Sequence, residues 1–185
     1  HTFTEAVFLL YAKRLPTDGE RSLLDAVLVA SSEHGIEVPS LYVPRVSVSA
    51  GNPVHVGMAA GVLAIGDAHG GAGRAAAELL ARPEEPEALV KEFIERKRRV
   101  PGFGHRIYKD EDPRARAIHE KALAAAVPMA SFEKAYAIEA ALTAVAGKKL
   151  PLNIDGACAA AVLALSMPSD AAEAVADPGH RWQPT

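Results

Sequence analysis

Cysteine is almost absent. Cys158 stands alone among 185 residues, which excludes an intrachain disulfide and a thiolate-built zinc cluster and fits a reducing cytoplasm. Charge of one sign is missing too: 20 Lys and Arg face 23 Asp and Glu, a formal net charge of −3. No global field therefore gathers nucleic acid or an anionic membrane, and partners must be recognised locally. Aromatics are sparse at 5%, which also argues against a nucleic-acid surface. The longest apolar run, residues 56–65, falls far short of the ~20 residues that span a bilayer, and no basic-then-apolar leader opens the chain. A soluble protein is expected. The first residue, His1, lies in a segment that already reads as helix, which points to an upstream portion.

What is present is 49% apolar content, enough for one or two small domains with a real core. Helical spacing dominates. Ala6, Val7, Leu10 and Tyr11 mark a first helix capped by Thr2 or Thr4 and ending before Pro16. Thr17 with Glu20 forms a capping box, and Leu23, Leu24, Val27 and Leu28 give one face of a helix that Gly35 should end. Residues 40–49 are β-branched enough for a strand but lack its alternation, and lean helical. Asn52-Pro53 opens a small-residue helix suited to close packing, stopping at Gly66.

Further on, Leu89, Val90, Phe93 and Ile94 mark an amphipathic helix ending in the basic run 96–99. Asp112-Pro113 starts another, expected to reach Val127. Ser131 should cap the next, with Ala135, Ile138, Leu142 and Val145 on one face and Gly147 at its end. Residues 151–156 read as a loop before a final Ala/Leu helix from Cys158. No run of alternating strands and no repeat is visible, so the fold class is all-α.

Three of the seven histidines, His34, His69 and His105, stand beside glycines at helix edges, where backbone can approach a ligand closely. Each alone reads equally as a capping or surface histidine, which is the reading given to His55, His119 and His180. No His-Glu-x-x-His or paired His/Cys cluster supports a metal, no Gly-x-Ser-x-Gly elbow supports a serine nucleophile, and the glycines at 70, 71 and 73 lack the strand and Gly-Lys-Ser/Thr of a phosphate loop. Two carboxylates stand out. Asp112 reads as a helix cap. Asp155, between apolar residues and Gly156, reads either as a desolvated base or as another cap. The cations at 96–99, with Arg106 and Lys109, are either a solvated face or an anion-binding edge.

Pro101-Gly102-Phe103-Gly104-His105-Arg106-Ile107-Tyr108-Lys109, followed by Asp112-Pro113-Arg114-Ala115, resembles the signature of the citrate synthase family. His34-Gly35, His69-Gly70-Gly71-Ala72 and Asn153-Ile154-Asp155 resemble three further segments of that family, in the same order. The resemblance implies a helical fold with a large domain (1–70 plus 158–185, incomplete) and a small CoA-binding domain (71–157), working as a homodimer.

It also implies that Asp155 takes a proton from the acyl-CoA methyl group, that His69 stabilises the enol, and that His105 polarises the oxo-acid carbonyl. His34 and Arg114 would hold substrate carboxylates. Arg98, Arg99, Gly102, Phe103, Gly104, Arg106 and Lys109 would cradle CoA. Coenzyme A enters as a thioester substrate, with no tightly bound cofactor and no metal, and the implied partners are acetyl-CoA and oxaloacetate or citrate-like acids.

Two departures widen the reading. Arg181 is the only arginine beyond Asp155, where the family carries more, and Gly66-Asp67 before Ala68-His69 is closer to the citryl-CoA lyase module of ATP-citrate lyase. Cleavage of citryl-CoA, or binding without turnover by an impaired homologue, therefore stands beside condensation.

Overall fold

The computed structural model describes residues 1–32, 35–66, 69, 72–169 and 171. Among them are nine helices, and the only β-pairing is two isolated bridges. Capping explains several boundaries. Thr2 and Thr17 each accept from the backbone N–H of the glutamate three residues on, Glu5 or Glu20, whose carboxylate reaches back to the threonine N–H. These boxes open α1 (Phe3–Ala12) and α2 (Asp18–Ser31). α2 stops at Ser31, short of the expected Gly35, with Ser32 as its C-cap. The expected face of Ala6, Val7, Leu10 and Tyr11 is not the buried one: Thr4 and Phe8 enter the core, Val7 and Tyr11 pack only partly against it, and Ala6 and Leu10 are exposed, Leu10 by 68%.

Residues 39–49 are helical despite their β-branched content. α3 (Pro39–Ser49) starts with Pro at its first position and carries Pro44 inside. α4 (Val54–Leu63) takes Pro53 as its N-cap, one position later than Asn52-Pro53 suggested, and ends three residues before Gly66. The two pack as a hairpin. A Cβ on Gly57 would lie 2.7 Å from Val48 Cγ2, and one on Gly61 would lie 2.7 Å from both Pro44 Cγ and the Ser40 carbonyl oxygen, so only glycine permits this approach.

The rest forms the body. α5 (Ala72–Ala81), α7 (Pro113–Ala124) and α8 (Ala130–Ala146) surround α9 (Ile154–Ala164), α6 (Pro86–Glu95) packs on α8, and α2 packs on α7 and α9. The core helix is built of small residues: Gly156 to Val162 are all buried, which lets α5, α7 and α8 come close. Three expectations need correction here. α7 ends at Ala124 rather than near Val127, with Ala126 at φ 52°. α8 is preceded by Met129 rather than capped by Ser131, because the Ser131 hydroxyl donates across to the Ala160 carbonyl of α9 at 2.7 Å. α9 begins at Ile154, not Cys158: Asn153 caps it by accepting from the Gly156 N–H at 3.1 Å, so residues 154–156 are its first turn, not loop.

Candidate active site

The segment after Val100 is a glycine-broken loop pinned to the start of α9. Gly102 sits at φ +85°, and a Cβ there would lie 2.8 Å from Gly156 Cα; a Cβ on Gly156 would lie 2.5 Å from the Gly102 oxygen. Two bare backbones thus meet. Hydrogen bonds fix the register: Asn153 N–H donates to Gly102 O at 3.0 Å, Gly104 N–H to Pro151 O at 2.7 Å, and Asn153 Nδ2 to Gly104 O at 2.9 Å. Phe103 and Leu152 form an isolated antiparallel bridge across this contact.

That docking places His105. Its Nδ1 accepts from the backbone N–H groups of Ile107 and Tyr108, both at 3.1 Å, so the neutral ring carries its proton on Nε2. The Tyr108 ring stacks on the imidazole, centroids 4.8 Å apart. Burial, reinforced by the charges of Arg114, Lys109 and Arg106 against the pull of Asp112, holds the imidazole below its ordinary value, hence neutral at pH 7.

Arg114 Nη2 lies 3.3 Å from His105 Nε2. Arginine only donates, and so does this nitrogen of the neutral histidine. The pair therefore presents two N–H donors to one shared acceptor, the arrangement that suits a carbonyl or carboxylate oxygen. Arg114 is itself held by Asp112 through Nε to Oδ1 at 3.0 Å and Nη2 to Oδ2 at 2.8 Å, with the guanidinium 5.7 Å from the Tyr108 ring centroid. Burial works against the arginine's proton, but the Asp112 bonds and charge, with smaller contributions from Tyr108 and Asp155, raise its affinity above the ordinary value.

Asp155 occupies the first turn of α9, half-buried, near enough for its charge to act on Arg114. It is not that helix's cap, which is Asn153. His69 is anchored on the hairpin. Its Nε2 accepts from the Ser40 backbone N–H at 3.3 Å and lies 2.9 Å from Ser40 Oγ, so the imidazole satisfies an orphan donor at the start of α3 and bears its own proton on Nδ1 when neutral. Reciprocal backbone bonds of 2.9 and 2.8 Å tie His69 to Gly66.

Of the CoA-facing candidates, Gly102, Phe103 and Gly104 form the docked loop, while Arg98, Arg99, Arg106 and Lys109 are exposed. Arg98 lies over the Phe93 ring and Lys109 Nζ donates to His105 O at 3.0 Å. His34, Gly70 and Gly71 lie outside the described residues, as do His180 and Arg181. No group of three or more His, Cys, Asp or Glu able to hold a metal ion occurs among the described residues. Ser40, Tyr108 and Asn153 have no role assigned from the sequence, although Tyr108 and Asn153 lie within the family-like segments, and Asn153 carries a further local signal, an Asn three residues before Gly156 at the head of an Ala-rich run.

The citrate synthase C-terminal domain family matches residues 1–176. This chain belongs to the citrate synthase family. It is 34% identical over 122 residues to putative citrate synthase 2 of Mycobacterium tuberculosis (strain H37Rv), covering 64% of this chain but 32% of that protein. The chain thus spans about a third of such a relative. Citryl-CoA lyase from Hydrogenobacter thermophilus superimposes with a TM-score of 0.89 at 36% identity, over 97% of this chain and 72% of the other. A citrate synthase of Thermoplasma acidophilum, in a ternary complex with carboxymethyl coenzyme A and oxaloacetate, gives 0.76 at 26% identity, over 95% and 48%. The all-helical architecture is that of this family.

Proposed function

We propose that this protein makes a carbon–carbon bond between the methyl carbon of an acyl-CoA and the carbonyl carbon of a 2-oxo acid, acetyl-CoA and oxaloacetate giving citrate and free CoA. The observation that carries this reading is the His105–Arg114 donor pair, bonded through Asp112 and the glycine-broken loop to α9, whose first turn carries Asp155.

The thioester α-proton is only weakly acidic, so a carboxylate base needs donors aimed at the oxygen that gains charge. Asp155 removes the proton while His69 Nδ1–H steadies the enol oxygen. His105 Nε2–H polarises the oxo group, and Arg114 with His34 holds carboxylates. Water then cleaves the citryl thioester, its proton going to the departing CoA thiolate. The exposed cations Arg98, Arg99, Arg106 and Lys109, beside the Gly102–Gly104 loop, suit the phosphates of CoA.

Asp155→Asn tests the base. Free-thiol release from acetyl-CoA and oxaloacetate should fall by ~10²- to 10⁴-fold, with the fold kept; wild-type rates in that variant would remove Asp155 from the reaction.

A second reading is favoured by the superposition on a citryl-CoA lyase at higher identity than on the synthase. The same residues, run in reverse, cleave citryl-CoA to acetyl-CoA and oxaloacetate. Supplying citryl-CoA and following acetyl-CoA separates the two, and tight calorimetric binding without turnover in either direction would identify an impaired CoA- or acid-binding homologue.

The remaining assignments belong to the same proposal. The protein acts in the cytoplasm as a homodimer, with coenzyme A as substrate and no resident cofactor. The large domain holds 1–70 and 158–185, and the small domain 71–157. The α3–α4 hairpin is the dimer contact that its exposed Leu41, Tyr42, Val46, Met58 and Leu63 suit. No described helix is long and apolar enough to cross a membrane.

A further inference from the structure

Asp112 has no exposed surface, yet its carboxylate serves more than the helix it begins. Oδ1 accepts from the Arg114 backbone N–H and from Arg114 Nε, both at 3.0 Å. Oδ2 accepts from Arg114 Nη2 at 2.8 Å and from the Ile154 N–H, 42 residues away, at 3.2 Å. One carboxylate therefore caps two helices, α7 through Arg114 N and α9 through Ile154 N, each an otherwise orphaned donor. Ile154 is the residue before Asp155. The two-pronged grip on Arg114 also fixes the plane of the guanidinium, and so where its other N–H groups point beside His105.

We infer that Asp112 is a positioning residue whose buried carboxylate sets the guanidinium of Arg114 and the first turn of α9 in fixed relation to each other. Its kinetic consequence rests on the function proposed above. A helix cap alone requires one acceptor and would be met by serine, asparagine or aspartate. Four donors from two helices require both oxygens and the charge.

Asp112→Asn keeps the size of the side chain, and its one remaining oxygen can still cap α7. In either orientation, however, its amide NH2 faces donors that previously met an oxygen. In the full chain, hydrogen exchange followed by NMR should show the Ile154 amide and the Arg114 Nε–H exchanging at least ~10-fold faster than in wild type.

In the condensation or cleavage assay, kcat should fall and KM for the oxo acid or citryl substrate should rise, each by ~10-fold or more, while the affinity for free CoA changes by less than ~2-fold. A merely structural role would lower stability without that split. Asp112→Ser keeps the α7 cap through its hydroxyl and serves as the second variant.

Wild-type exchange at both positions, or unchanged kinetic constants in either folded variant, would overturn the inference, and so would failure of both variants to fold. If the wild-type protein turns over neither substrate pair, the proposed function falls by itself, and the two exchange rates still decide the role of Asp112.

Discussion

The body and the α3–α4 hairpin are built from similar residues and reach opposite results. Both rely on alanine and glycine to bring backbones close. α9 buries every residue from Gly156 to Val162 beneath α2, α5, α7 and α8, whereas α3 buries none and α4 buries only Gly57 and Gly61, against α3. Small residues therefore decide how near helices come, not how many neighbours they find. The apolar side chains that the body turns inward are turned outward on the hairpin, Leu63 being 75% exposed.

The comparison can be broken by substitutions on either side. Phe132→Ala, fully buried on α8, should cost about 3–5 kcal/mol in urea unfolding; a cost under ~1 kcal/mol would mean the body is not tightly packed there. Gly156→Ala drives a methyl against the Gly102 oxygen and Leu152, and should cost about 1–3 kcal/mol together with most of the activity, because the loop carrying His105 must back away.

Gly61→Ala makes the same intrusion in the hairpin, against the Ser40 oxygen and Pro44, and should cost at the lower end of about 1–3 kcal/mol. Its activity should fall further than its stability, since Ser40 anchors His69. Met58→Ser on the exposed hairpin face should move unfolding of the single chain by no more than about 0.5 kcal/mol, while sedimentation should show weaker self-association, as the proposed dimer contact requires; unchanged association would remove the hairpin from that role.

The smallest effect is the acid response of the body. The folded state holds His105 below its ordinary value, so between that value of ~6.5 and the lower folded one the unfolded chain binds a proton that the folded chain does not. Stability should decline as pH falls through this window. His105→Asn should flatten the decline, and an unchanged slope would place the titration elsewhere.

Much of this was legible in the sequence because it is written locally. The capping box at Thr17 and Glu20, the left-handed Gly147 ending α8 and the Asp112-Pro113 helix start each depend on residues a few positions apart. What was illegible depends on distant partners. The Ser131 hydroxyl has a carbonyl on α9 to reach, so it abandons capping. Leu10 and Val145 share the period of buried faces but remain exposed.

α9 started four residues early for a similar reason: Asp155-Gly156 looks like a turn until Asn153 is seen bonding Gly156 N–H on one side and Gly104 O on the other. In the candidate site, His69, His105, Arg114 and Asp155 stand out in the sequence while Ser40 does not, and the tautomers of His105 and His69 are set by backbone groups whose positions periodicity does not disclose.

Where Gly102 meets Gly156, no side chain stands between the two peptides, and the spacing is set by atomic radii alone. Such a joint has no rotamer to change and no gap to fill. Any change in what the neighbouring site accepts must therefore be made around its rim, in residues that can vary without altering the gauge between loop and helix.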